Sequence, residues 1–330
     1  LSTGGTATDV TDDVHPELAA SAVAAAQTVG LDICGIDIVC DTMLKPLEEQ
    51  SGGVVEINAA PGLRMHLDPS FGKGRAVGEA IVNMMFPPGD NARIPVVAIA
   101  GTNGKTTTSR LIGRIFESNG QRVGMTSTDG LYIQGKRIDD GDCSGPRSAR
   151  NVLLHPDVDA AVFETARGGV LREGLGFDMC DVAVITNIGI GDHLGLNFIT
   201  TVDELAVVKR VIVENVAPGG AAVLNAADPI VVAMAQHCHG SVIFFAQDRA
   251  NPVLATQRAQ GKRVVHVKRD AIVCCEGRRV HSIPLANIPI TRNGAIGFQV
   301  ENAMAAIATG WALGIAWEVI ERALAGFVND

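Results

Sequence analysis

Aromatic residues are scarce in this chain of 330 residues: two Trp, one Tyr and ten Phe. That shortage argues against a base-stacking platform and against an all-β sandwich. Basic charge is also short. Lys and Arg number 27 against 36 Asp and Glu, a net charge of −9, so no cationic excess exists to displace the counterions of a nucleic acid. Long apolar runs are missing. The longest uncharged stretch, Asn302 to Trp317, falls short of the roughly 20 residues that a spanning helix needs. It reads as one packed core helix, with Gly310-x-x-x-Gly314 as a close-packing site. No secretory signal or transit peptide is visible, and the expectation is a cytoplasmic protein without a membrane partner.

Cysteine pairs at CxxC spacing are absent as well. The seven cysteines are an odd number, and Cys274 and Cys275 are adjacent. They read as free thiols of a reducing compartment. His237-Cys238-His239 has no further Cys/His group at ligand spacing, so it predicts no metal centre.

Glycine, by contrast, is plentiful at 37 residues, and 47% of the chain is hydrophobic. Short apolar runs, glycine turns and helical stretches alternate, the pattern of an α/β protein with a mostly parallel sheet covered on both faces. Two domains are expected, 1–90 and 91–330, joined at the Phe86-Pro87-Pro88-Gly89-Asp90-Asn91 cluster. In the first, a helix starts at His15-Pro16-Glu17, and the runs Ile33–Cys40 and Val54–Ile57 suit paired strands. A second helix covers Ala76–Met85. In the second domain, Pro95–Ala100, Arg122–Thr126, Ala160–Phe163, Val182–Thr186, Ala221–Leu224 and Val242–Phe245 read as buried strands. Val253–Ile290 reads as a small antiparallel appendage. The chain opens at Leu1 inside a Gly/Thr loop, which predicts a piece of a longer protein.

Directly after Pro95–Ala100 comes Gly101-Thr102-Asn103-Gly104-Lys105-Thr106-Thr107 and then a helical stretch. Strand, glycine-rich loop, Lys-Thr and helix is an arrangement that holds nucleotide phosphates. Successive backbone N–H groups point into the loop, and the helix N-terminus adds positive potential. Lys105 would lie along the β- and γ-phosphates and the Thr106 hydroxyl would meet Mg²⁺. The standard loop carries glycine where this one has Ile99.

That variant resembles the ATP loop of the Mur ligase family. Val162-Phe163-Glu164 resembles the strand end at which those ligases hold a magnesium ligand. Thr186-Asn187-Ile188 with Asp192-His193-Leu194 resembles their N-I-x-x-D-H-L stretch, whose histidine approaches a second metal. Glu301-Asn302-Ala303-Met304-Ala305-Ala306 resembles their helix start, which implies that Asn302 contacts adenine. By the same resemblance Lys209 would be a carbamylated metal ligand, although an exposed helix lysine explains it almost as well. Asn225-Ala226-Ala227-Asp228-Pro229 departs from N-A-D-D-P by one missing carboxylate.

Finer features point to one branch. Glu164-Thr165-Ala166-Arg167-Gly168-Gly169-Val170-Leu171-Arg172-Glu173-Gly174-Leu175 and Gly145-Pro146-Arg147-Ser148-Ala149-Arg150 are similar to stretches of the cyanophycin synthetase family. Those enzymes carry an ATP-grasp (α+β) domain ahead of a Mur-like one, and Leu1–Ala7, Gly35-Ile36-Asp37 and Val55–Gly62 resemble its loop and metal-binding strands. Glu56 and Asn58, two apart on a strand, face one side of the sheet and can hold Mg²⁺, with Asp37 as a further ligand.

The resemblance implies an ATP- and Mg²⁺-dependent amide ligase that builds a poly-aspartate backbone and adds arginine to its β-carboxyl groups. Asp addition would fall to the ATP-grasp site and Arg addition to the Mur-like site. Its partners would be ATP, L-aspartate, L-arginine and a cyanophycin primer, within a homo-oligomer. Arg167 and Arg172 would clamp carboxylate or phosphate, with a structural salt bridge as the competing role. A relative that condenses β-Asp-Arg dipeptides with an idle Mur-like site, and a non-catalytic nucleotide-binding module, remain alternatives. By the same resemblance the C-terminal Mur domain and the front of the ATP-grasp domain are missing, which predicts an isolated chain with little or no activity.

Overall fold

The computed structural model describes residues 5–189, 194–195 and 199–327. The chain divides into two compact units between Arg93 and Ile94, just past the Pro/Gly/Asn cluster that the sequence offers as a linker.

In the first unit, helix α1 (Pro16–Val29) starts where the sequence places it. Pro16 sits in the first turn, and His15 caps the helix by accepting a bond from the Glu17 N–H at 3.2 Å. It ends at Gly30, whose φ of 79° suits glycine alone without strain. Strands β1 (Gly35–Cys40) and β2 (Gly52–Asn58) pair antiparallel, with Asp37 opposite Glu56 and Gly35 opposite Asn58. Helices α2 (Arg64–Leu67) and α3 (Val77–Met85) follow. The Arg75 guanidinium binds both Asp9 and Asp12 at 2.7 Å, which ties the segment after the opening loop to the stretch between these helices.

The second unit is built on one sheet. Its strands, in chain order, are β3 (Val96–Ala100), β4 (Val123–Ser127), β5 (Gly130–Ile133), β6 (Lys136–Asp140), β7 (Ala160–Glu164), β8 (Cys180–Ile185), β9 (Val216–Asn225), β10 (Ser241–Ala246), β11 (Val264–Lys268), β12 (Ala271–Glu276) and β13 (Arg279–Pro284). Among the described residues they lie in the order β13-β12-β11-β10-β9-β8-β3-β7-β4-β5-β6. From β11 to β4 every neighbouring pair runs parallel. Hairpins continue the sheet antiparallel at both edges.

Helices cover both faces. On one lie α4 (Lys105–Ser118), α10 (Gly297–Ala312) and α11 (Trp317–Ala325), packing Leu111, Ile115, Ala305 and Ile320 against Val97, Ile99 and Val162. On the other lie α5 (Pro146–Leu153), α6 (Arg167–Glu173), α7 (Val202–Glu214), α8 (Pro229–Ala233) and α9 (Pro252–Ala259). There Val152, Leu205 and Leu254 meet Ala98, Phe163 and Ile185. Alternate residues of β3 thus feed opposite cores, which is why all five of its residues are buried.

Two sequence expectations change. The 253–290 region is no separate appendage. After α9, its strands pair in turn onto β10 and carry the main sheet outward. The uncharged stretch from Asn302 is not one helix either. It ends at Ala312, and Gly314 turns the chain at φ 70° before α11 begins. Gly310 does mark a close approach, since a Cβ there would lie 3.0 Å from Ile320.

Candidate active site

The C-terminal ends of β3, β7 and β8 bring together most of the Mur-like candidates. The 101–104 segment leaves β3 and delivers Lys105 and Thr106 into the first turn of α4. Two glycines are demanded by space as well as by conformation. A Cβ at Gly101 would stand 1.9 Å from Thr186 Oγ1, and one at Gly104, where φ is 85°, would stand 2.3 Å from Asn302 Oδ1.

The loop is held from behind by β8. The Thr186 hydroxyl donates to the Asn103 carbonyl at 2.6 Å, and the Asn103 N–H donates to the Asn187 side chain at 3.0 Å. Lys209 on α7 is buried at 5% exposure, and its ammonium donates to Thr102 Oγ1 at 3.3 Å. The exposed-lysine alternative therefore fails, and Lys209 braces the loop. Asp228 supports the same wall. One of its oxygens takes the Ile188 N–H at 2.7 Å, and the other takes the Ile230 N–H at 2.9 Å at the start of α8. The remaining carboxylate of the N-A-A-D-P motif is thus a helix cap and a brace.

Glu164 ends β7 with 2% of its surface exposed. Its Oε2 accepts the Thr106 hydroxyl at 2.8 Å and the Thr128 N–H at 3.4 Å, and the Lys105 ammonium lies 3.9 Å from Oε1. Burial pushes the carboxyl above its usual range, while Thr106, Lys105 and the Thr128 amide pull it back. A hydroxyl and a carboxylate beside a lysine at a helix N-terminus form the hard oxygen set that suits Mg²⁺ between phosphates. The residues present fit that ion, and Thr106 and Glu164 would hold it.

Asn302 lies beneath this loop on α10, 5% exposed, donating to Gln299 at 3.0 Å. Arg167 opens α6 just beyond Glu164, half-buried, while Arg172 is exposed. Gly169 lets α6 pack on the Gly145–Pro146 turn, where a Cβ would lie 3.0 Å from Gly145 Cα. His193 lies outside the described residues. In the first unit, the β1–β2 register puts Asp37 and Glu56 on one face, with Asn58 two positions along it.

One feature that sequence reasoning missed is Arg110, on α4, which donates to Asp129 at the turn between β4 and β5. Nothing in spacing or composition marks that pair.

The Mur ligase middle domain matches residues 99–310. A cyanophycin synthetase of a Synechocystis species is 46% identical over 334 residues, covering 100% of this chain and 38% of that protein. A cyanophycin synthetase of Crocosphaera subtropica is 44% identical over 328 residues, covering 99% of this chain and 38% of that protein. The chain therefore spans well under half the length of these relatives. A solved UDP-N-acetylmuramoyl-L-alanyl-D-glutamate–2,6-diaminopimelate ligase shares the fold, with a TM-score of 0.56 at 18% identity over 76% of this chain and 49% of that one. With its phosphate-type loop, its sheet and a matching middle domain over more than half its length, the chain belongs to the Mur ligase family.

Proposed function

We propose that the chain carries nucleotide sites of a non-ribosomal amide ligase that makes cyanophycin, with Arg added at the second unit and Asp at the first. The convergence of Lys105 and Thr106 on the buried Glu164 carries the reading. The similarity to two cyanophycin synthetases supports the choice of product. When bound, ATP supplies a γ-phosphoryl group that turns a carboxylate into a reactive acyl phosphate, with Mg²⁺ neutralising phosphate charge.

The chain's own residues do the positioning. Backbone amides of 104–106 would face the phosphates, and Lys105 would balance charge that grows as the phosphoryl group transfers. Thr106 and Glu164 would hold the metal, and by the family resemblance His193 would approach a second metal of the same site, while Lys209 keeps the loop in place through Thr102. Asn302 fixes the floor of the loop, and by the family resemblance it would contact adenine. Arg167, at the start of α6, orients a substrate carboxylate through a bidentate bond.

The first unit reads as the C-terminal part of an ATP-grasp domain, whose Asp37, Glu56 and Asn58 would hold a second Mg²⁺. The domain division of the proposal is 1–90 and 91–330.

Two substitutions in the full-length enzyme test this assignment, with labelled Asp and labelled Arg followed on primers that await one or the other. Lys105→Ala is expected to lower Arg addition about a hundredfold or more and to spare Asp addition. Glu56→Ala is expected to do the reverse. Loss of Asp addition with Arg addition intact in Lys105→Ala would refute the assignment of the two sites.

A further inference from the structure

We propose that Arg110 and Asp129 are a positioning pair for Glu164, gripping the turn after β4 to the phosphate helix so that the Thr128 amide stays on the carboxylate. The inference rests on the reading of Glu164 as a metal-holding residue. It adds two residues that neither the motifs nor the family match single out.

Asp129 is anchored through both oxygens. One takes the Arg110 guanidinium from α4, and the other takes the hydroxyl of Ser127, itself fully buried. Ser127 also reaches the Gly130 carbonyl at 3.2 Å, which closes the turn on itself. Thr128 sits between these anchors, and its N–H points at Glu164 Oε2 at 3.4 Å. The same oxygen accepts the Thr106 hydroxyl at 2.8 Å. Arg110 and Thr106 belong to one helix. The clamp therefore fixes the two donors of a single carboxylate oxygen to one rigid element.

An ordinary surface ion pair at 30% and 42% side-chain exposure contributes little to stability. The role inferred here is geometric. A carboxylate that must present its free lone pairs to a metal needs its other contacts held, and removing such outer partners commonly weakens metal affinity ten- to a hundredfold. Asp129 also brings negative charge near Glu164, which the Arg110 cation offsets. Losing Arg110 alone releases that carboxylate from α4 and leaves its charge uncompensated.

The test uses Arg110→Gln, Asp129→Asn, the double variant and Arg110→Lys in the full-length enzyme, with Glu164→Gln as reference. Two quantities are read: the Mg²⁺ concentration for half-maximal Arg addition, and calorimetric binding of Mg²⁺–ADP in a Glu56→Ala background. Each single variant is expected to raise the Mg²⁺ requirement about tenfold or more, with melting temperature and Asp addition unchanged. The double variant is expected to be no worse than the poorer single, because both break one clamp. Arg110→Lys is expected to recover part of the loss.

If Asp129→Asn weakens metal binding while Arg110→Gln does not, Asp129 acts directly and the positioning role is wrong. A fall in melting temperature with equal loss of both additions would make the pair merely structural, which also overturns it. If Glu164→Gln shifts the Mg²⁺ requirement but the pair variants do not, this inference fails alone. If Glu164→Gln shifts nothing, the metal reading fails and takes the inference with it.

Discussion

Replacing Gly104 with alanine tests how tightly the phosphate loop is built. Gly104 has φ 85°, a conformation that costs an L-residue about 1–2 kcal/mol. The new Cβ would also stand 2.3 Å from Asn302 Oδ1, far inside contact distance. Asn302 has little room to yield, since it is 5% exposed and bonded to Gln299 at 3.0 Å. Turning it aside forfeits a buried hydrogen bond of about 1 kcal/mol. The expected loss is therefore about 2–3 kcal/mol. Both tryptophans, Trp311 and Trp317, belong to the second unit, so denaturant unfolding followed by their fluorescence reports that unit alone. In Gly104→Ala/Asn302→Ala the clash disappears and the backbone strain stays, so the two changes should couple favourably by about 1 kcal/mol. A loss below about 0.5 kcal/mol for Gly104→Ala, the level of an ordinary surface change, would refute the close approach.

Two further outcomes follow from burial. Leu111, fully buried between α4 and the sheet, is expected to lose about 2–5 kcal/mol on substitution by alanine, read from the same unfolding curves. His266, at 2% exposure, has its imidazole pushed below the usual value of 6.5 by burial. The folded protein thus resists a proton that the unfolded chain takes up below that pH. Stability should hold above about pH 7 and fall as pH drops through 6.5 toward the folded value. His266→Gln should flatten that part of the stability profile, and an unchanged slope would contradict the assignment.

The parallel core was legible because its strands are apolar on both faces. Val96–Ala100 and Ala160–Phe163 stand out as unbroken apolar runs. The edge hairpins were not, since β6 is Lys-Arg-Ile-Asp-Asp with every residue exposed, and its pairing is decided by its neighbour. The phosphate loop was legible for a local reason, its residues being contiguous. Its supports were less so. Lys209 meets Thr102, and Asp228 meets Ile188, only after the chain has crossed the sheet. The turn at Gly314 escaped notice because an Ala/Gly-rich stretch has the same composition as a helix and as its end. Arg110 and Asp129 are joined by the β4–β5 turn, and only that geometry pairs them.

The central claim is that residues 101–107 and Glu164 form one Mg²⁺–nucleotide site. A crystal structure with a non-hydrolysable ATP analogue and Mg²⁺ tests it most directly. The account predicts phosphates on the backbone amides of 104–106, Lys105 against the terminal phosphates, and a metal within about 2.1 Å of a Thr106 or Glu164 oxygen or of a water bound to one. A nucleotide seated elsewhere in the second unit, or phosphates on this loop with the metal away from both Thr106 and Glu164, would contradict it.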